Sequence, residues 1–269
     1  DYLHGIHSGL SQSSLSWDNS THVLTLTDAH VYYYQGVLKS QGANVTCDID
    51  DFTLATGLWF IYYASAAGTL TASQTPWSLF TTVPVATMWW NGTAGRIQWE
   101  GHNSRRDLNW HYVHHTFDGA YISPADWVMT APASGSPTTV ALTGGTVQDE
   151  DQSVAQGSQT NCVVWYQTGA GAYTWVESNS IYPTNVSLVD SSDSYTLKDV
   201  ASGKKINVWL YASTDNARAI YAVTETRASA VGYNTTAQAR AVKPPDLSSL
   251  GFTPEMRLIY RVIMDGAET

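Results

Sequence analysis

Charged side chains are scarce in this sequence. They make up 13% of its 269 residues, whereas soluble domains average roughly 25%, so hydroxyl, amide and glycine residues must finish most of the surface. Basic residues are scarcer than acidic ones, with 13 Lys and Arg against 23 Asp and Glu, which gives a net charge of −10. Nucleic-acid binding needs clustered Lys and Arg. Because the sequence has no such cluster, we expect no nucleic-acid partner.

Cysteines and long apolar runs are also scarce. Cys47 and Cys162 are too few and too far apart for a disulfide scaffold or a Cys-rich zinc site, and we expect two buried free thiols. No apolar run approaches the ~20 residues of a membrane span, so we expect no membrane insertion. The chain begins at Asp1 with neither an initiator Met nor a signal-peptide pattern. We therefore expect it to be a piece of a longer protein.

Short stretches of β-branched and aromatic residues recur along the whole chain, bounded by Gly, Asp, Asn and Ser. This pattern is typical of strands joined by turns. Residues 15–27 alternate apolar and polar side chains around an Asp-Asn-Ser turn and predict a hairpin. Residues 83–93 end in an Asn-Gly turn signal and predict a second hairpin with residues 96–100. The sequence predicts an all-β fold of mainly antiparallel strands, built as a sandwich or barrel.

Further strands are predicted in both halves of the chain, with one helix between them. The predicted strands are 29–37, 43–49, 57–64, 139–142, 161–167, 173–176, 205–212 and 219–224, and a last element at 253–264 opens with a turn and closes with an apolar strand. Residues 105–116 are the exception, because Leu108, Tyr112 and His115 recur at helical spacing after a capping Asp107. They predict one short helix.

A stretch rich in Pro, Ala, Ser and Gly at residues 131–137 disfavours both helix and sheet. We place the domain boundary there. The prediction is a β-rich domain at residues 1–130, carrying the His-bearing helix, and a second, β-sandwich-like domain at residues 131–269.

Tyr and Trp are abundant, 16 and 11 against only 5 Phe. Most aromatic rings therefore carry a hydroxyl or an indole N–H that can form hydrogen bonds. Many stand in clusters: Tyr32-Tyr33-Tyr34, Trp59 with Tyr62 and Tyr63, Trp89-Trp90, and Trp165-Tyr166 with Trp175. Strand neighbours point to opposite faces, so one ring of each adjacent pair should enter the core. The other ring could pack against a second subunit or stack on a sugar. We favour subunit packing, and the pattern does not select ligand-binding residues.

Several motifs in this order resemble tailed-bacteriophage tail-fibre and tail-tip proteins. In the first half they are Gly57-Leu58-Trp59-Phe60-Ile61-Tyr62-Tyr63, Gly68-Thr69-Leu70, Ser73-Gln74-Thr75-Pro76-Trp77, Pro84-Val85-Ala86, Trp90-Asn91-Gly92-Thr93, Glu100-Gly101-His102, Arg106-Asp107-Leu108, and His111 with His115 and Gly119. In the second half they are Leu142-Thr143-Gly144-Gly145-Thr146, Asp149-Glu150-Asp151, Thr253-Pro254-Glu255 and Leu258-Ile259-Tyr260-Arg261-Val262-Ile263. One position departs from the pattern: where that family has Glu-Arg-His, this chain has Gly101 in place of the Arg.

The resemblance implies a virion component rather than an enzyme. It implies a structural part of a phage tail fibre, tail tip or baseplate that acts in virion assembly and attachment to the host cell. The implied partners are its own copies in a homotrimer, other phage tail proteins, and a bacterial surface glycan or outer-membrane receptor. A carbohydrate-binding lectin-like module is the alternative hypothesis, and a polysaccharide depolymerase is the third.

The densest set of potential metal ligands is His102, Asp107, His111 and His115, with Glu100 nearby. On a helix, the two histidines four residues apart project from one face and can share one ion. No glutamate follows His111, so the zinc-protease motif with its general base is missing. A metal ion held by this set is expected to be structural rather than catalytic. Buried hydrogen bonds or contacts between subunits are the other interpretation of these residues, and we favour it over a metal site.

Two acidic clusters complete the candidates for chemistry: Asp48 with Asp50 and Asp51, and Asp149 with Glu150 and Asp151. Both lie in turn-like settings, where acidic residues cap and turn the backbone, so we predict solvated turns. A hydrolytic carboxylate pair or a calcium site is the alternative. No Gly-x-Ser-x-Gly elbow is present. The sequence therefore predicts no catalytic residues.

Overall fold

A computed structural model describes residues 4–52, 54–102, 110, 113, 121–123, 126–130, 141–149, 152–179, 187–215, 217–228, 231–246 and 256–266. Its described strands form seven sheets, mostly antiparallel. The all-β fold predicted from the sequence is confirmed.

The chain divides into two compact units, each built from more than one stretch of sequence. Unit 1 comprises Asp1–Tyr121, Gln148–Val154 and Thr214–Asn216. Unit 2 comprises Ile122–Val147, Ala155–Ser213 and Ala217–Thr269. The Pro/Ala/Ser stretch at 131–137 lies outside the described residues, so the domain boundary placed there stays a prediction.

Unit 1 carries three sheets. The strands are β1 Gly5–Ser8, β2 Leu15–Asp18, β3 Val23–Leu26, β4 His30–Tyr34, β5 Val37–Gln41, β6 Val45–Asp48, β7 Gly57–Tyr63, β8 Leu70–Ser73, β9 Val83–Trp90 and β10 Gly95–Trp99, with 3-10 turns at Gln12–Ser14 and Asp50–Phe52. They pair in the orders β1-β4-β5, β2-β3-β6 and β10-β9-β7-β8. The pairings β2 with β3 and β9 with β10 are antiparallel, which confirms both predicted hairpins.

The core of unit 1 lies on one face of the four-stranded sheet. Alternate residues of β7 are buried, including Trp59, Ile61 and Tyr63. Tyr32 of β4 stacks on Tyr63 with ring centroids 4.2 Å apart. The predicted alternation of neighbouring aromatics is confirmed here, because Tyr33, beside Tyr32 on β4, is only half-buried. The strand period thus divides each aromatic pair between core and outer face.

On the opposite face of this sheet, the burial and polarity of the side chains change from β10 to β8. The register aligns Gln98, Thr87, Phe60 and Ser73 in one row, and Arg96, Trp89 and Leu58 in the next. The side chains from β10, and Thr87 on β9, are buried and polar. Toward β7 and β8 the face becomes half-buried and largely aromatic. We call this part the aromatic face and define it as Leu58, Phe60, Tyr62, Trp77 and Trp89, with Trp77 edge-on to Phe60 at 5.1 Å.

The remaining strands follow from residue 121 onward. They are β11 Tyr121–Ile122, β12 Met129–Thr130, β13 Ala141–Leu142, β14 Gly145–Asp149, β15 Gln152–Gln156, β16 Cys162–Gly169, β17 Ala172–Ser178, β18 Ser187–Asp190, β19 Thr196–Asp199, β20 Lys205–Ala212, β21 Ile220–Thr224, β22 Thr226–Arg227 and β23 Arg257–Asp265. The largest sheet has the order β17-β16-β21-β20-β23, and β16 pairs with β21 in parallel. The other sheets are β11-β14-β15, β12-β13 and β19-β18-β22.

A short helix, Thr236–Arg240, packs on β20 in unit 2. Thr235 and Gln238 cap it reciprocally, because each side chain accepts a hydrogen bond from the other residue's backbone N–H. The helix predicted at 105–116 lies outside the described residues apart from Trp110 and Val113, both of which are helical.

Two smaller expectations can be compared with the structure. Cys47 and Cys162 are both buried and neither is in a disulfide, as predicted. Burial raises the pKa of the Cys162 thiol to about 12. In the part of the chain that the structure describes, none of the helices is both long and apolar enough to cross a bilayer.

Candidate metal-binding site

The candidate site lies where β10 ends in unit 1. The Glu100 N–H donates to the Val85 carbonyl at 3.0 Å, and the His102 carbonyl accepts from the Ile6 N–H at 2.8 Å. The two residues are therefore held by β9 on one side and β1 on the other. Between them, Gly101 packs so closely on Trp99 that a Cβ there would lie 2.1 Å from the indole.

Three side chains of the kinds that bind metals converge at this point: Glu100, His102 and Asp149. Their ligand atoms all lie within 4.8 Å of one another, and the residues are only 2%, 6% and 1% exposed. The His102 Nε2 is 4.0 Å from Glu100 Oε2 and 3.9 Å from Asp149 Oδ2. Both separations exceed hydrogen-bond length. The imidazole nitrogen therefore lies near two buried carboxylates without a direct hydrogen bond to either.

The orientation of Glu100 is fixed by a neighbouring strand. The Thr87 hydroxyl of β9 donates to Glu100 Oε1 at 3.1 Å, and the other carboxylate oxygen is the one nearer His102. Hydrogen bonds of this kind orient metal-ligating carboxylates in proteins. Glu100 is thus held with Oε2 directed toward the cluster.

Asp149 reaches the cluster from a distant part of the sequence. It ends β14, and only two residues separate it from Gln152, which begins the neighbouring strand β15. Burial alternates along both strands, so that Val147 and Asp149, and then Gln152 and Val154, face inward. The Gln152 amide is buried, and neither of its polar atoms has a hydrogen-bond partner among the described residues. The end of this hairpin therefore adds a second polar group beside Asp149.

A second buried polar contact lies on the same strand, β10. The Arg96 Nε donates to Asp215 Oδ2 at 2.9 Å, and a terminal guanidinium nitrogen lies 2.8 Å from the same oxygen. Both side chains are nearly inaccessible, at 9% and 2% exposure. Removing one partner of such a pair leaves an uncompensated buried charge. Asp215 belongs to the third stretch of unit 1, so this pair joins β10 to a segment more than 100 residues away.

The sequence prediction for the metal set is only partly described. His102 and its neighbour Glu100 are in the cluster, whereas Asp107, His111 and His115 lie outside the described residues. For Asp149 the solvated-turn interpretation is wrong, since its side chain is buried. Its position in an Asp-Glu-Asp run gave no local signal of burial, because the hairpin end is enclosed only by tertiary packing.

The other acidic cluster behaves as predicted where it is described. The Asp50 N–H donates to Asp48 Oδ1 at 3.0 Å, and both residues are exposed. This is the side-chain turn that acidic residues form at such positions. His22 contacts the Asp50 carboxylate at 2.9 Å, with both side chains solvent-accessible. It is an exposed His–Asp pair, in contrast to the buried cluster.

His30 is a further buried titratable group in unit 1, and sequence reasoning did not single it out. Its Nδ1 is 3.0 Å from the Asp28 carbonyl, and its Nε2 is 2.6 Å from the Tyr63 hydroxyl. The carbonyl can only accept, so the imidazole donates from Nδ1 and accepts from Tyr63 at Nε2. Burial lowers the pKa of His30, partly offset by the Asp28 carbonyl, and raises the pKa of Tyr63. Neutral His30 thus has a complete set of partners.

Unit 2 contains an open cavity of about 610 Å³ beside the short helix. Its lining carries three basic residues and one acidic residue; the residues are Lys205, Thr236, Arg240, Leu258, Arg261, Ile263 and Asp265. Two of the basic groups have partners, since Lys205 pairs with Asp265 and Arg261 donates to the Arg240 carbonyl. The Lys205–Asp265 pair is neutral as a whole, so Arg240 and Arg261 carry the positive charge of the cavity lining.

Comparison with known proteins identifies no relative: no family model matches the sequence, no curated protein matches it, and no solved structure matches the fold.

Proposed function

We propose that this chain is a structural component of a bacteriophage tail fibre or tail tip that acts in virion assembly and host-cell attachment. Its partners in this proposal are its own copies in a homotrimer, other tail proteins, and a glycan or outer-membrane receptor on the bacterium. The resemblance of the ordered motifs suggested this function. The aromatic face is the structural observation that supports it best.

The aromatic face has the composition of a contact surface. Its rings are half-buried on the outer side of a β-sheet whose inner side already packs the core of unit 1. Neighbouring positions on β8 are Thr71 and Ser73, which are half-buried and carry hydroxyls. Aromatic residues are enriched in protein interfaces while charged residues are depleted. A sister subunit in a fibre is the occupant that this proposal assigns to the face.

The hairpin of β4 and β5 in unit 1 provides a second apolar surface. β4 and β5 are joined by the two residues Gln35 and Gly36, and Val37 and Leu38 at the start of β5 are about half exposed, at 53% and 52%. Solvent-exposed apolar side chains beside a tight turn are suited to contact with a partner protein. The hairpin therefore supports attachment or assembly more than it supports catalysis.

The lectin-like alternative also draws on the aromatic face. An exposed ring beside hydroxyl groups can stack on a sugar, and this face offers both kinds of group. A glycan array separates the two hypotheses. If the chain binds a glycan and Trp77→Ser abolishes that binding, the lectin-like hypothesis replaces subunit packing as the function of the aromatic face.

The depolymerase hypothesis would need an accessible pair of carboxylates. Glu100 and Asp149 converge within 4.8 Å, but their 2% and 1% exposure leaves no room for a sugar ring between them. This burial favours a structural role for the pair. Unchanged polymer length after incubation of the purified chain with host capsular polysaccharide is the expected result.

The virion assignment is tested on purified particles. Tailed particles are produced from the phage whose DNA encodes the chain, purified on a density gradient, and digested for peptide mass spectrometry. We expect peptides of this chain at a stoichiometry of a few trimers per particle, and antibodies against the chain should label the tail in electron micrographs. Particles that lack the chain would overturn the proposal.

The trimer is tested by native mass spectrometry of the purified chain. We expect a species of three times the 29.4 kDa chain mass. Trp77→Ser, which removes a ring from the aromatic face, should shift the population toward monomer. Phe80→Ser is the matched control, since that ring is 72% exposed and lies outside the aromatic face, and it should leave the mass unchanged. A wild-type monomer would contradict the assignment of the aromatic face to a sister subunit.

A further inference from the structure

We propose that Glu100, His102 and Asp149 bind one divalent transition-metal ion, of which Zn²⁺ is the best match, as a structural site inside unit 1. The proposal rests on the described geometry and does not depend on the tail-fibre assignment.

Burial and charge supply the first argument. Two carboxylates that share a site shielded from water repel each other, and a cation bound between them offsets that repulsion. Glu100 and Asp149 are in this position, and their ligand atoms lie within 4.8 Å of one another and of the His102 nitrogen. A divalent ion with neutral His102 balances the two carboxylate charges.

The distances supply the second argument. Zinc binds imidazole nitrogen and carboxylate oxygen at about 2.0–2.2 Å, so that ligand atoms around a tetrahedral ion lie roughly 3.4 Å apart. The observed separations from His102 Nε2 are 3.9 and 4.0 Å. Movements of about half an ångström would bring His102 to each carboxylate at that spacing. The two carboxylates, which lie within 4.8 Å of each other, would have to approach by at most about 1.4 Å.

The donor types decide which ion is expected. Calcium and magnesium prefer shells made only of oxygen, whereas an imidazole combined with carboxylates suits zinc and its neighbours in the transition series. The surroundings agree with this choice. The Thr87 hydroxyl holds the far oxygen of Glu100, an outer contact typical of metal-binding carboxylates.

Gln152 provides an independent indication. Its side chain is about nine-tenths buried, at 9% exposure, and neither polar atom of its amide has a partner within the described residues. Gln152 begins β15, and two residues separate it from Asp149, which ends β14. Both side chains belong to the buried positions of their strands. A buried amide oxygen without a donor is costly. We assign it the fourth position of the site.

The consequence of such an ion would be a link within unit 1. It would tie the segment Gln148–Val154 to the end of β10, across about fifty residues of sequence. An ion that binds the folded chain and not the unfolded chain stabilises it by mass action. Saturating zinc should therefore raise the melting temperature by about 5 °C or more.

The test uses the full chain, purified without a histidine tag and stripped with a chelator. Zinc chloride is titrated by calorimetry, elemental analysis gives the stoichiometry, and differential scanning fluorimetry gives the melting temperature. We expect one zinc per chain bound through the cluster. Asp149→Asn and His102→Gln should each weaken zinc binding by more than about tenfold, and Gln152→Leu by about tenfold.

Two control variants make the result specific. Asp50→Asn removes the carboxylate of the exposed His22–Asp50 pair and should leave zinc binding unchanged. His111→Gln tests the helix histidines predicted from sequence. Zinc binding that survives Asp149→Asn but is lost in His111→Gln would overturn the proposal, as would the absence of any zinc-dependent rise in melting temperature.

The metal-free proteins separate a lost ligand from misfolding. Melting curves and tryptophan fluorescence of the chelated wild type and the chelated Asp149→Asn variant show whether both chains fold without zinc. A variant that folds but gains no melting temperature on zinc addition identifies Asp149 as a ligand. A folded variant that gains as much as the wild type contradicts the metal site.

Discussion

At position 101 the chain has a glycine between two of the three clustered side chains. The structure explains why a glycine stands there: the indole of Trp99 occupies the space that a side chain would need. Trp99 is itself buried in the core of unit 1. Local packing thus restricts position 101 to a residue without a Cβ.

We predict that Gly101→Ala destabilises the chain by about 1–3 kcal/mol, because its Cβ would overlap a buried ring that cannot move aside freely. Urea denaturation followed by tryptophan fluorescence measures the change. Gly42→Ala is the control, since a Cβ there would meet nothing within 4 Å, and it should stay within about 0.5 kcal/mol of wild type. Equal midpoints for all three proteins would show that Trp99 does not restrict position 101.

His30 makes stability depend on pH. Burial holds its pKa in the folded chain below the ordinary 6.5, so the unfolded chain takes up a proton first as the pH falls. The stability that neutral His30 contributes is therefore complete above pH 6.5, the ordinary histidine pKa. It is lost as the pH falls through the pKa of His30 in the folded chain.

We predict that the free energy of unfolding decreases from about pH 7 to about pH 5, with His30 contributing at most about 1.4 kcal/mol per pH unit. His30→Gln should flatten this slope. NMR titration of the His30 ring protons checks the cause directly, and a midpoint at or above the ordinary histidine value would refute it.

The hairpin of β4 and β5 shows how an element can tolerate an unfavourable residue. Tyr34 pairs with Val37, which leaves a two-residue turn, and both turn residues have positive φ, 49° for Gln35 and 76° for Gly36. This is the mirror-image turn that matches strand twist, and Asn-Gly is its preferred sequence. Gln35 therefore occupies a left-handed position that its side chain does not favour.

We predict that Gln35→Asn stabilises the chain by about 0.5–1 kcal/mol, because Asn adopts the left-handed conformation at lower cost. Gln35→Val should have the opposite sign, since β-branched residues disfavour positive φ most. Chemical denaturation of the three proteins gives the ordering. If the Asn variant is the least stable, the turn does not control the hairpin.

At the scale of the whole molecule, unit 1 includes two segments that lie beyond residue 130, and cutting the chain there would remove them. Gln148–Val154 brings Asp149 to His102, and Thr214–Asn216 brings Asp215 to Arg96. A fragment ending at residue 130 contains the ten strands of the three unit 1 sheets but lacks both carboxylates.

We predict that the fragment 1–130 is less stable than unit 1 in the intact chain by about 3–5 kcal/mol, because Arg96 loses its buried partner. Arg96→Met should stabilise the fragment yet destabilise the full chain, and this reversal of sign identifies the cause. Thermal unfolding monitored by circular dichroism compares the four proteins. A fragment as stable as the intact chain would show that the distant segments contribute nothing.

The sequence by itself determined the all-β class, two hairpins and the division of their side chains between two faces, although the strand predicted at 29–37 is broken by the turn between β4 and β5. Residues 15–27 and 83–100 encode their hairpins locally, through a period of two and short turn signals, and the aromatic pairs follow the same period. The expected burial of Cys47 and Cys162 also came from composition alone. Each of these features depends on residues close together in the chain.

Tertiary structure alone decided which distant residues meet. Asp149 has the sequence context of a solvated turn, and it is buried because the segment Gln148–Val154 packs as part of unit 1. The partner of Arg96 lies 119 positions away, and β16 pairs with β21 in parallel across a long connection. Local periodicity gives the face of a strand but not its neighbour, because the free energy of a long-range contact depends on closing a loop and on all the packing around it.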